Sequence, residues 1–381
     1  MHYLDYSATT PVLDEARDAM LDVLLNEYGN PSSVHAAGRS ARALVETARE
    51  RVAQAIGASP SEIVFTGGGT DADNLAIKGA AHKARGRGNH IITTTFEHHA
   101  VLDSGEYLAR GGCELTRVEV PSSGVIDPDD VVAALRPGTV LVSVMTVNNE
   151  IGTIQPLAEI VEAVKASNPN VVVHTDAVQA LGNDPVDVHA AGVDLAAFSA
   201  HKLGGPKGVG ALFVRSGVPL EPVLHGGGHE RGLRSGTLNV PGIVGFGVAA
   251  EIAAKEVFEK RERLAPMRDR LLEGIRERVP DVVVNGDLDR RVPGNLNVCI
   301  PGADGETLLL LLDGAGIACS SGSACQSGAM DPSHVLLAIG VSRELADGSL
   351  RFTLGRTSSD RDVDAVLEVL PGIVEKARRV A

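Results

Sequence analysis

The chain has 381 residues, 44% of them hydrophobic and 22% charged, with 43 glycines and only 3% aromatics. That mixture excludes a disordered or collagen-like chain and fits a soluble α/β protein of two domains with many tight turns. A formal net charge of -14 without a long Lys/Arg run argues against direct nucleic-acid binding and suits small metabolites or basic protein partners.

At the N-terminus, Met1-His2-Tyr3-Leu4-Asp5 shows no basic region followed by an apolar stretch. No segment approaches the roughly 20 apolar residues of a membrane span, so a cytoplasmic protein with no membrane association is expected. Short apolar runs then alternate with amphipathic stretches. Strands are predicted at Ile63-Val64-Phe65, Ile91-Ile92, Val140-Leu141-Val142, Val171-Val172-Val173 and 209–214, with helices at 71–84 and 157–166. The alternation predicts an α/β fold with a mostly parallel sheet covered by helices. From 242 to 278 a long charged helical stretch follows, expected to break near Pro266. Beyond it, strands at 297–300 and 350–354 and helices at 306–313 and 362–379 suggest a smaller α+β domain. The expected division is 12–255 for the large domain and 256–381, with residues 1–11, for the small one. There is no fixed-period repeat and no low-complexity linker.

The four cysteines, Cys113, Cys299, Cys319 and Cys325, have no CxxC zinc spacing, and a chain of this size needs no disulfide framework. Reduced thiols and no intrinsic metal site are expected.

Three segments carry chemistry. In Phe198-Ser199-Ala200-His201-Lys202-Leu203-Gly204-Gly205-Pro206, a lysine sits in a turn beside hydroxyl and imidazole donors. Such a lysine forms a Schiff base when desolvated against a carbonyl, and its neighbours suit a phosphate, although alone the segment reads equally well as an ordinary loop. In Val173-His174-Thr175-Asp176-Ala177-Val178-Gln179, an acid ends a strand. There it can pair with a pyridinium nitrogen, or serve as a helix N-cap, the commoner role for an isolated aspartate. Thr66-Gly67-Gly68-Gly69-Thr70 follows a strand and opens a helix, so its N–H groups can surround an anion; it is neither GxGxxG nor a P-loop.

In this order the segments resemble the fold type I pyridoxal-phosphate enzymes of the class V aminotransferase family, and within it the cysteine desulfurases. The resemblance covers nearly the whole chain: 3–11, Gly29-Asn30-Pro31-Ser32-Ser33, Glu97-His98-His99-Ala100-Val101, Asn148-Asn149-Glu150-Ile151-Gly152, Arg234-Ser235-Gly236-Thr237 and Ser320-Ser321-Gly322-Ser323-Ala324-Cys325. The last stretch is similar to the long-loop group, which serves iron-sulfur and nitrogenase maturation.

The resemblance implies pyridoxal 5'-phosphate held by Lys202 as a Schiff base, with Asp176 on the ring nitrogen and Gln179 on the ring hydroxyl. It implies His98 stacked on the ring and assisting proton transfer, and Gly69, Thr70, Ser199 and His201 on the phosphate. Thr237 would enter from the other subunit of a homodimer, while Asn149 and Arg351 would bind the cofactor edge and the carboxylate of L-cysteine. A guanidinium grips a carboxylate through two parallel hydrogen bonds, which supports Arg351 independently. Cys325 would take the sulfur as a persulfide, leave alanine, and pass the sulfur to an acceptor such as an iron-sulfur scaffold, with which it could share a cluster as ligand. Departures from the family pattern are Ser7 for Ala, Asp71 for Glu and Gln326 for Thr. The motif register assigns the ring to His98, leaving His99 a structural or surface role, and Cys113, Cys299 and Cys319 are expected to be inert. A selenocysteine lyase or an aminotransferase shares such a site, and a non-enzymatic sulfur carrier has no need of Lys202, Asp176 and Arg351 together.

Overall fold

The computed structural model describes residues 1–321 and 332–379; Cys325 and its neighbours lie outside them. The strands are β1 (His2–Tyr3), β2 (Ile63–Thr66), β3 (His90–Thr94), β4 (Glu114–Val118), β5 (Thr139–Ser143), β6 (Val172–Asp176), β7 (Leu195–Ser199), β8 (Gly210–Val214), β9 (Val283–Val284), β10 (Asn295–Cys299), β11 (Ile317–Ala318) and β12 (Ser349–Thr353). The helices are α1 (Asp14–Asn26), α2 (Ala36–Ala55), α3 (Gly69–Lys83), α4 (His99–Arg110), α5 (Pro128–Ala133), α6 (Leu157–Ser167), α7 (Val240–Arg278), α8 (Gly305–Gly314), α9 (His334–Ala338), α10 (Arg343–Asp347) and α11 (Asp360–Arg378).

Seven strands form one sheet in the order β2-β8-β7-β6-β5-β3-β4. All its pairs are parallel except those that β8 makes with β2 and β7. The central strands are buried along their whole length, which explains why they read as unbroken apolar runs. Period-two alternation splits them between two cores. Val142, Val173, Ala196 and Phe213 pack with α2, α6 and the first half of α7. Leu141, Val172, Leu195 and Leu212 pack with α3 and α4 on the opposite face.

A third core joins Leu4, Leu264, Leu271, Ile275, Val298, Phe352 and Val366 around the antiparallel sheet β12-β10-β9. The second half of α7 therefore contributes to a different core from the first. The helix runs unbroken through Pro266, contrary to the expected break. Pro266 lies on the exposed side, where water can satisfy the carbonyl that loses its N–H partner, and the apolar residues flanking it stay in register. Among the described residues no helix is long and apolar enough to cross a membrane.

Candidate active site

The strands β2, β5, β6 and β7 run in one direction, and their carboxyl ends open on a cavity of about 390 Å³. Gly69, Thr70, His98, Asn149, Asp176, Gln179, Ser199, His201, Lys202 and Arg351 all line it. Ten separate predictions thus meet in one place. Thr237 is exposed and not among the lining residues, and Cys325 is outside the described residues. Ser7, Ala8, Asp73, Met145 and Val178 line the cavity without having been singled out for it. The signal for Ser7 and Ala8 lay in the 3–11 motif, while Asp73 follows the glycine-rich turn on α3.

Lys202 ends a short 3-10 turn that continues from β7. Its Nζ donates to the carbonyls of Ser7 at 2.6 Å and Ala8 at 2.9 Å. The same N-terminal segment clasps the turn from outside, because Thr10 Oγ1 donates to the His201 carbonyl at 2.9 Å and accepts from Gly204 N–H at 2.8 Å. Gln179 Nε2 also donates to the Ser7 carbonyl, at 2.9 Å. Ser7 thereby reaches the site through its backbone, so the exchange of Ala for Ser there leaves these contacts intact.

Asp176 closes β6 and is buried. Its Oδ1 accepts from Val178 N–H at 2.9 Å, so the turn-capping role and the cavity-facing role coexist. Burial raises its pKa, while His98, the Val178 N–H and Lys202 oppose the rise. His98 is the N-cap of α4: its Nδ1 accepts from Ala100 N–H at 3.1 Å, which fixes the neutral ring with its proton on Nε2. Burial lowers its pKa, Asp176 pulls it up, and Lys202, His99 and His334 push it down. The imidazole therefore meets the cavity as a neutral donor. His201 is likewise held neutral, lowered to about 4 by burial and the nearby Lys202 and Lys207.

The first turn of α3, whose N–H groups have no side-chain cap among the described residues, opens beside Thr70. Gly68 has φ 145°, a conformation that favours glycine, and a Cβ on Gly69 would stand 2.7 Å from Val178 Cγ2. Asp71 pins this loop by accepting from Gly67 N–H at 2.7 Å and Arg234 Nε at 3.0 Å. The shorter carboxylate thus still holds the turn.

Arg351 reaches the cavity from β12 and is 2% exposed. Its Nη1 donates to the Asn149 carbonyl and its Nη2 to Asp5 Oδ1, both at 2.9 Å, while its buried Nε makes no hydrogen bond among the described residues. Cys319, just after β11, is driven up to about 12 by burial and by Asp5, and Cys299 in β10 to about 11 by burial. Neither is a nucleophile near neutral pH. Cys113 is half-buried, and burial raises it too.

A parallel sheet with a buried carboxylate at one strand end, a lysine at the next and a helix N-terminus beside both defines a fold type I pyridoxal-phosphate enzyme. The class-V aminotransferase family matches residues 2–366. The chain belongs to that family, and within it to the cysteine desulfurases. Proteins named cysteine desulfurase IscS from Dictyoglomus turgidum and Anaeromyxobacter dehalogenans are 48% and 50% identical to it. Each alignment covers 100% of this chain, with 96% and 94% of the respective relatives. Among solved structures, a NifS-like protein superposes with a TM-score of 0.93 at 41% identity, covering 98% of this chain and 99% of its own. A structure described as SspA in complex with cysteine has a TM-score of 0.80 at 35% identity, covering 93% and 99%. Membership of this family implies pyridoxal phosphate.

Proposed function

We propose that the cavity binds pyridoxal 5'-phosphate and L-cysteine, and that the protein converts cysteine to alanine while Cys325 retains the sulfur. The observation that carries this reading is the convergence of Lys202 from the turn after β7, Asp176 from β6 and Arg351 from β12 on one cavity. The donor set fits the cofactor: an amine for its aldehyde, a buried carboxylate for its ring nitrogen, and N–H and hydroxyl groups of Gly69, Thr70 and Ser199 for its phosphate. When bound, the cofactor supplies an electron sink for bonds broken at the substrate α- and β-carbons.

The chain's own residues do the rest. Arg351 exchanges its Asp5 contact for the substrate carboxylate and so orients cysteine. His98 offers Nε2–H to the occupant of the cavity, and the Lys202 amine takes up and returns the α-proton. The Cys325 thiolate attacks the substrate sulfur, the carbon–sulfur bond breaks, and the remainder leaves as alanine. One cysteine and one enzyme thiol thus become alanine and one enzyme persulfide. With a thiol pKa near 8.5 only a few per cent is thiolate at pH 7, so ionisation of Cys325 in the occupied site belongs to the reaction.

The seven-stranded sheet with its two cores and the three-stranded sheet with the third core are read as belonging to the large and small domains, 12–255 and 256–381 with 1–11. The exposed Thr237 is read as completing the phosphate site of a second subunit in a homodimer. The acceptor is read as a protein of iron-sulfur assembly, in the cytoplasm. The test is brief exposure to cysteine followed by alkylation and peptide mass spectrometry, with alanine measured in parallel. Extra sulfur on Cys325 and matching alanine are expected. Sulfur on Cys319, or full turnover by Cys325→Ser, overturns the reading.

A further inference from the structure

At the wall of the cavity and behind it lies a group of buried ionisable side chains that the reaction above does not use. Asp73, on α3, is 1% exposed, and His174, on β6, is fully buried. One carboxylate oxygen of Asp73, one of Asp176 and a ring nitrogen of His98 all lie within 4.8 Å of one another. Glu97, fully buried in the turn before α4, raises Asp73 and is itself raised by Asp176. Three buried carboxyl groups therefore act on one another at the wall of the cavity.

Buried carboxylates this close cannot all ionise, because each charge loses its hydration and repels the next. What decides among them is the set of partners. Asp176 has the Val178 N–H, His98 and Lys202 to favour its charge. Glu97 Oε1 accepts from Thr94 Oγ1 and Met145 N–H, but its Oε2 makes no hydrogen bond among the described residues. Asp73 Oδ1 likewise makes none, and its nearest ionisable nitrogen is His174 Nε2 at 3.4 Å. That imidazole is no cation: it is sealed from water, and its Nδ1 is taken up by Ser143 Oγ at 2.8 Å. In the tautomer whose Nδ1–H is donated to Ser143 Oγ, Nε2 is an acceptor and needs a proton facing it. A protonated Asp73 supplies one.

We propose that Asp73 is a positioning residue, held as a neutral acid against neutral His174, so that Asp176 alone carries the negative charge of this cluster toward the cavity. Were Asp73 ionised as well, Asp176 would take up a proton and could no longer hold a ring cation. Burial and the neighbouring Asp176 and Glu97 raise Asp73 well above the usual carboxylate range, and burial lowers His174 to about 3, both consistent with a neutral pair. The functional half of this inference rests on the reading that Asp176 faces the cofactor nitrogen; the protonation state does not.

Infrared spectroscopy of the full chain separates the two halves. At pH 7 a protonated carboxylic acid band that shifts on aspartate-specific ¹³C labelling is expected, and Asp73→Asn should remove it. Absence of any such band in the wild-type protein, or its survival in Asp73→Asn, overturns the protonation assignment. The pH titration of the bound cofactor's visible absorption tests the functional half. Asn replaces a neutral acid without changing charge, so the titration should stay where it is in the wild-type protein. A shift of a unit or more, a tenfold change in proton affinity, would show that Asp73 had been ionised. Should Asp73→Asn fail to fold, the labelled wild-type protein with cofactor bound still decides: a protonated aspartate supports the assignment and none overturns it. A protein that never binds the cofactor fails the desulfurase reading instead, leaving the infrared result intact.

Discussion

Arg351 spends its two terminal nitrogens on Asp5 and the Asn149 carbonyl and keeps its Nε without a hydrogen bond among the described residues. A side chain so buried and only partly satisfied is poised for a second carboxylate. Arg351→Ala removes a charge-assisted pair worth about 1.5–3 kcal/mol, so kcat/KM for cysteine should fall roughly 10- to 150-fold, mostly through KM. Steady-state alanine release checks this, and an unchanged KM would move the carboxylate site elsewhere. Lys202 is held at the mouth of the same cavity by the carbonyls of residues 7 and 8. Lys202→Ala should abolish both the visible absorption of the purified protein and all turnover, as a spectrum and an alanine assay would show. Cys319 presents the opposite case: with its thiol held at about 12 it stays protonated, so Cys319→Ala should keep most activity.

At the scale of elements, the start of α3 is tightly constrained. Gly69 sits where a methyl group would meet Val178 Cγ2 at 2.7 Å and Ser199 Cβ at 3.4 Å. Gly69→Ala must therefore push the helix away from β7, or displace Val178 from the cavity wall. Overpacking of this kind costs about 1–3 kcal/mol, and here it also moves the N–H groups that would face a phosphate. The expected outcome is a lower unfolding midpoint together with weaker cofactor retention on dialysis. Helix α7 shows the reverse tolerance, because Pro266 falls on an exposed side and its flanking apolar residues span two cores without interruption.

For the whole molecule, the buried acids link stability to pH. Glu97 is pushed up to about 8 by burial, so between its ordinary value near 4.5 and about 8 the folded chain keeps a proton that the unfolded chain has lost. Stability from this group is fully present at low pH and is lost as pH rises through that window, by a few kcal/mol at most. His174, lowered to about 3, acts in the opposite sense: its contribution is present above about pH 6.5 and is lost as pH falls toward 3. Glu97→Gln keeps a neutral side chain whose oxygen can still accept from Thr94 and Met145. It should flatten the alkaline side of the stability profile, read as denaturation midpoints at pH 5 and pH 8, and an unchanged slope would show that Glu97 is ionised in the fold.

By itself the sequence determined the architecture and named most of the residues that line the cavity. Unbroken apolar runs such as 140–142 and 171–173 can be buried only in a sheet covered on both faces, and the acid, lysine and glycine-rich turns fall at strand ends where such sheets bind ligands. Only the tertiary structure decided what depends on distance between remote segments. Periodicity says nothing of residues 7–10 folding back onto the Lys202 turn, because those contacts are made by backbone carbonyls and hydroxyls without a repeat. Nor does it show that Pro266 lies on the side of α7 facing water, or that Asp73, one polar residue near the start of α3, stands buried beside Asp176 and His174. A charge is costly or cheap according to its surroundings, and those surroundings exist only once strands β6 and β7 and helix α3 have been brought together.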